Sequence, residues 1–170
     1  NKIIMEEFDD VRNQTVLNLP EFVSSLHLAE DGCTLVAGSA TVNHDIFAPV
    51  YIIDLETQTL KFRMNHHTRG IQGVRISGSG KYILSYGNCK DSRIAIWREG
   101  TLLFATQEVN QMNEAKWRPE RIPVPHAQNK FEEEFAIGGK NRLTVWRYRE
   151  DINKAVIKSE KSFSRTGSPV

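Results

Sequence analysis

Ile71-Gln72-Gly73-Val74-Arg75-Ile76-Ser77-Gly78-Ser79-Gly80 decides the fold, because the same pattern stands 48 positions earlier. There Leu26 falls on Val74, Leu28 on Ile76 and Gly32 on Gly80. Each copy alternates apolar and polar residues and ends in a small polar turn with glycine. That pattern predicts a half-buried strand followed by a tight turn.

Working outward, three more strands follow each copy. The second is Thr34-Leu35-Val36-Ala37, then Tyr82-Ile83-Leu84-Ser85. The third is Val50-Tyr51-Ile52-Ile53-Asp54, then Ile94-Ala95-Ile96-Trp97-Arg98. A weaker fourth is Thr59-Leu60-Lys61-Phe62, then Leu102-Leu103-Phe104-Ala105. A third, distorted copy has Glu114-Ala115-Lys116-Trp117, an interruption from Arg118 to Lys130, Phe135-Ala136-Ile137-Gly138-Gly139, and Leu143-Thr144-Val145-Trp146-Arg147-Tyr148. Ile53 to Trp97 is 44 residues and Trp97 to Trp146 is 49. A period in the forties with four antiparallel strands per unit is the mark of a propeller blade. The expected fold class is therefore all-β, part of a β-propeller with about three four-stranded antiparallel blades. Residues 1–20 read as strands of a preceding blade or a lead-in, 21–148 as the blades, and 149–170 as an outer strand and a flexible end. A closed propeller needs at least four blades. Asn1-Lys2-Ile3-Ile4 shows neither an initiator Met nor a signal peptide. The chain is thus expected to be a piece of a longer protein.

The second copy carries a more specific resemblance. His67, Ile71, Val74, Ile76, Ser77, Gly80, Tyr82, Ile83, Leu84, Ser85 and the run Asp91-Ser92-Arg93-Ile94-Ala95-Ile96-Trp97 resemble the WD-repeat (WD40) family. His66 stands where the family has Gly, and Arg98 where it often has Asp. The resemblance implies a buried hydrogen-bonded chain through Trp97, Ser85, His67 and Asp91. It suits the chemistry, since a buried indole N–H must be satisfied and a fully paired polar network fixes strand register. Ser, His and Asp are also the residue types of a catalytic triad. Here Ser85 is needed by Trp97, and no G-x-S-x-G elbow is present. The first and third copies drift: Ile53-Asp54 replaces Trp-Asp, and Asn141 stands near the position of Asp91. The loop from Thr41 to Pro49 is long, and loop style resembles the large tandem-propeller proteins of cytoskeleton, centrosome and cilium.

Composition excludes several classes. Lysine and arginine number 22 against 21 aspartate and glutamate. A net charge of +1 offers no pull toward nucleic acid or an anionic membrane. No apolar run approaches the ~20 residues of a membrane span. Cys33 and Cys89 lack C-x-x-C spacing and read as free thiols. His66 and His67, with His44 or His126, lack the spacing of a metal site, so no metal or cofactor is expected. Glu132-Glu133-Glu134 reads as a solvated turn, and Asn13-Gln14-Thr15 as a chance sequon.

The expected function is a non-catalytic scaffold, not an enzyme, holding other proteins in a multi-protein assembly. No nucleic acid, membrane or small-molecule substrate is expected. The expected setting is cytoplasmic, with cytoskeleton, microtubule or cilium as the finer reading. The alternative is the substrate-receptor propeller of an enzyme complex such as a ubiquitin ligase. The candidate partner-binding element is the insert carrying Arg118, Pro119, Arg121, Pro123 and Pro125. Its prolines are expected to hold it extended and outside any ladder.

Overall fold

The computed structural model describes residues 2–7, 10–40, 47–108, 111–125, 127 and 130–163. His44, His126, most of the Thr41–Pro49 loop and the end from Ser164 lie outside them, as do the side chains of the Asn13 sequon. The strands, in chain order, begin with a hairpin of β1 (Lys2–Glu7) and β2 (Asp10–Asn18). Blade one is β3 (Phe22–Leu28), β4 (Thr34–Ala40), β5 (Ala48–Asp54) and β6 (Thr59–His67). Blade two is β7 (Ile71–Ile76), β8 (Ile83–Gly87), β9 (Arg93–Arg98) and β10 (Thr101–Gln107). Blade three is β11 (Met112–Trp117), a short β12 (Ile122–Pro123), β13 (Phe131–Gly139), β14 (Arg142–Arg149) and β15 (Lys154–Ser162). Every pairing is antiparallel between neighbours along the meander. One 3-10 turn, Glu150–Ile152, is the single helical element among the described residues.

The repeated turn has repeated geometry. Gly32 and Gly80 both sit at φ +71°. Each donates its N–H across the turn, to Ala29 O at 3.0 Å and Ser77 O at 2.8 Å. Only a residue without Cβ adopts that backbone at no cost.

Side-chain alternation then assigns each face of a blade to a neighbour. From blade two, Leu84, Tyr86, Ile94 and Ile96 join Met112, Phe135, Trp146 and Tyr148 of blade three. The opposite set, Ile83, Ala95 and Trp97, joins Val36, Val50, Ile52 and Met64 of blade one. Blade one turns Leu35, Ala37, Tyr51 and Ile53 toward Ile3 and Leu19 of the first hairpin and its exit. The hairpin thus stands where the outer half of a preceding blade would stand. Inner strands have no strand partner on one edge, and side chains from the neighbouring blades serve instead. Ser25 Oγ accepts from Val74 N (3.1 Å), and His27 Nδ1 accepts from Ile76 N (3.2 Å). Trp117 Nε1 donates to Arg75 O at 3.0 Å.

Two expectations need correction. Glu132, Glu133 and Glu134 are not a solvated turn but part of β13, with Glu132 and Glu133 buried. Facing strands explain it. Arg147 reaches Glu132 at 2.9 Å and Glu134 at 3.3 Å, and Ser79 donates to Glu133 at 2.8 Å. The insert also makes ladder bonds. Ile122–Pro123 pairs with Phe131 and Glu132, and Val124 N donates to Lys130 O at 3.0 Å. Proline lacks a donor but is tolerated in an edge strand, and β12 is an edge.

Candidate functional site

The structure brings the four residues of the second blade together. Trp97 Nε1 donates to Ser85 Oγ at 2.8 Å. Ser85 Oγ lies 2.8 Å from His67 Nε2, and His67 Nδ1 lies 2.9 Å from Asp91 Oδ1. An imidazole that donates from Nδ1 and accepts at Nε2 satisfies every link. The other oxygen of Asp91 accepts from the backbone N–H of Thr68 (2.5 Å) and Arg69 (3.0 Å). Burial alone would raise the Asp91 carboxyl. The bonds from His67, Thr68 and Arg69 outweigh it and hold the group well below the usual carboxylate range. His67 and Ser85 are fully enclosed, at 0% exposure, so no substrate reaches the serine oxygen.

His67 ends β6 of blade one, Asp91 lies in the β8–β9 turn, Ser85 in β8 and Trp97 in β9. The chain therefore links the outer strand of one blade to the middle of the next. The same positions in the other blades hold different chemistry. In blade one they are Leu19, Ala37 and Ile53, packed as an apolar cluster. In blade three, Glu108 takes the place of His67 and lies 3.4 Å from Arg142. Ile137 takes the place of Ser85, and the buried Trp146 Nε1 has no partner among the described residues. These substitutions carry a faint sequence signal: Glu108 precedes Met112 by the spacing that separates His67 from Ile71. Reading for histidine alone misses it.

The insert leaves β11 on the same side as the Ser77–Tyr82 turn of blade two. Pro119 seats on Gly78 so closely that a Cβ there would lie 2.2 Å from the Pro119 carbonyl oxygen. Arg121 Nε lies 3.3 Å from Glu133, and its guanidinium is over the Phe131 ring, 5.8 Å from the centroid. Arg118 lies 3.6 Å from Glu134. Pro123 is paired in β12, and Pro125 sits in the turn that follows. Arg118, Pro119, Arg121 and Pro123 are thus fastened to blades two and three rather than projecting freely.

No three His, Cys, Asp or Glu side chains among the described residues are grouped as a metal site. Cys33 and Cys89 are free. No helix among the described residues is long and apolar enough to cross a membrane.

No family model matches the chain. By sequence it is similar to WD repeat-containing protein 90 of Xenopus tropicalis, 22% identical over 158 residues. That match covers 92% of this chain and 8% of the relative. The Mus musculus protein of the same name is 20% identical over 146 residues, covering 85% of this chain and 7% of its own length. A chain in the crystal structure of the mitotic checkpoint complex superposes with a TM-score of 0.67 at 19% identity. It accounts for 91% of this chain and 46% of that one. The chain folds as part of a β-propeller and is similar in sequence to WD-repeat proteins. The chain spans less than a tenth of the length of these two curated relatives. Both the all-β propeller fold and the WD-repeat resemblance are borne out.

Proposed function

We propose that the segment is a non-catalytic, protein-binding scaffold within a larger assembly. One observation carries the reading. Its Ser–His–Asp set is enclosed and hydrogen-bonded to a tryptophan, so that chemistry holds the blade together and the turns and insert carry the contacts. Propellers of this family supply rigid faces for proteins, which fits partners that are other proteins. A cytoplasmic place at the cytoskeleton or cilium, with microtubules nearby, rests on the loop style of the long tandem propellers. The great length of the two relatives is in keeping with it.

Within the scaffold, the insert from Arg118 to Lys130 is our candidate partner-binding element. The test is affinity purification of the tagged full-length protein from cells, with and without the insert. A short Gly-containing turn would join Arg118 to Lys130. A recurrent stoichiometric set of proteins is expected, with at least one member lost on deletion. Migration of the protein alone, with nothing co-purifying, would refute the scaffold. An identical set with and without the insert would move the contact elsewhere. Ubiquitin-ligase subunits as the stoichiometric partners would favour the substrate-receptor role instead.

A further inference from the structure

A groove between blades two and three and another between blades one and two lie on the side that carries the Ser77–Tyr82 turn, and they differ in kind. The groove between blades two and three is about 310 Å³, and the chain's own charges meet across it. Glu150 takes Lys81 at 2.6 Å, the Tyr82 hydroxyl at 2.7 Å, and Arg98. Lys130 lies 3.3 Å from Asp151. The groove between blades one and two is about 690 Å³, a size suited to a few side chains of a ligand. Its floor is apolar, with Ile83 buried and Phe62 38% exposed. Lys61, Lys81 and Arg98 border it, and among the described residues Glu99 is the one acid that lines it.

The three cations are steadied from outside the groove. Asp54 meets Lys61 at 2.5 Å, and Glu150 holds the other two. Each of the three keeps a third or more of its side chain exposed. An ammonium has three donors and a guanidinium five, so one carboxylate leaves donors to spare on each. The chain also provides its own precedent, since Glu150 is an acid already docked on Lys81 and Arg98.

We propose that the groove between blades one and two binds an acidic segment of a partner protein, with an aliphatic or aromatic side chain laid on Phe62 and Ile83 and carboxylates on Lys61 and Arg98. A nucleic-acid backbone fits less well, because it offers charge without an apolar group for the floor. The proposal deepens the scaffold reading by giving one of its contacts a chemistry.

A phage-displayed dodecamer library panned on immobilised full-length protein tests it, followed by fluorescence anisotropy with the enriched peptide. Enriched sequences should place acids around an apolar residue. Lys61→Gln and Phe62→Ser should each weaken the peptide about tenfold, as expected for losing one charge-assisted or apolar anchor. Lys61→Arg should retain binding, and both Lys61 variants should melt with the wild type. Enrichment of basic or neutral peptides overturns the proposal, as does no enrichment. So does peptide affinity unchanged in Lys61→Gln and Phe62→Ser. Equal displacement by polyglutamate or a single-stranded oligonucleotide at matched charge also overturns it, since either would mark a plain polyanion surface. Any of these failures with the co-purifying set intact leaves the scaffold standing; the scaffold fails separately, when nothing co-purifies.

Discussion

One buried position is solved three ways in three blades, and the differences translate into measurable energies. In blade two, Trp97→Ala should cost about 3–5 kcal/mol, the usual loss for a buried aromatic. Ser85→Ala orphans both the indole N–H and the imidazole, and should cost about 1–3 kcal/mol. Paired with His67→Ala, it should show coupling in denaturant melts, because the two share one network. Strict additivity would speak against that network. Two acids should respond to pH in opposite senses. Asp91 is depressed in the fold, so the stability it contributes is present above about pH 4 and fades as pH falls toward its folded value. Glu133 is raised, chiefly by burial against the opposing pull of Ser79, Arg121 and Lys81. Ionising it costs more in the fold than in the unfolded chain, so it destabilises increasingly as pH rises above about 4.3. Glu133→Gln should therefore raise the melting temperature at pH 7 and leave it unchanged at pH 4; equal shifts at both would reject the assignment. The tetrad was legible through the resemblance of the second copy to the WD-repeat pattern, which implied a network at these four positions. Leu19 and the Glu108–Arg142 pair were not, because the same volume was filled with other chemistry.

At the scale of elements, strand order followed directly from alternation and from the glycine turns, since both are local properties of the chain. The third blade was harder. Three consecutive glutamates look solvated until Arg147 and Arg149 are placed across from them, and that pairing is set by register rather than local sequence. The insert misled in the same way. Three prolines suggested a free extended segment, whereas a short ladder and a backbone contact fasten it down. Gly78 is the contact to probe. A methyl group there meets the Pro119 carbonyl, so Gly78→Ala should lift the insert off blade two. The expected readout is faster proteolysis between Arg118 and Lys130, with a stability loss of about 1–3 kcal/mol from the overpacked contact. Unchanged cleavage would mean that the insert is held by its β12 pairing alone.

Across the whole molecule, the core is a series of clusters between sheets rather than within them. A blade is therefore stable only as far as its neighbours cover it. Val74 and Ile76 of β7 are buried beneath blade one. Their counterparts in β3, Leu26 and Leu28, are 45% and 51% exposed, because the first hairpin covers the middle strands of blade one and meets its inner strand only at Val23. Phe22 adds to the same exposed strand. An isolated 170-residue chain is expected to self-associate through this face. Light scattering should report it, and Leu26→Ser with Leu28→Ser should reduce it. A wild-type monomer at high concentration would show that the face is covered in some other way.

The position of His67 has a bearing on how such a chain grows. It is the last residue of the outer strand of blade one, yet its ring is held by Ser85 and Asp91 of blade two. Visible sheets and sequence repeats are therefore out of step. A gene duplication that copied one sheet, from inner strand to outer, would carry away the serine, aspartate and tryptophan and leave their histidine behind. Only a copy displaced by one strand hands on the complete lock. The unit that carries this lock is thus a staggered segment that begins on its neighbour's rim, and recombination at the boundary between blades one and two would break it.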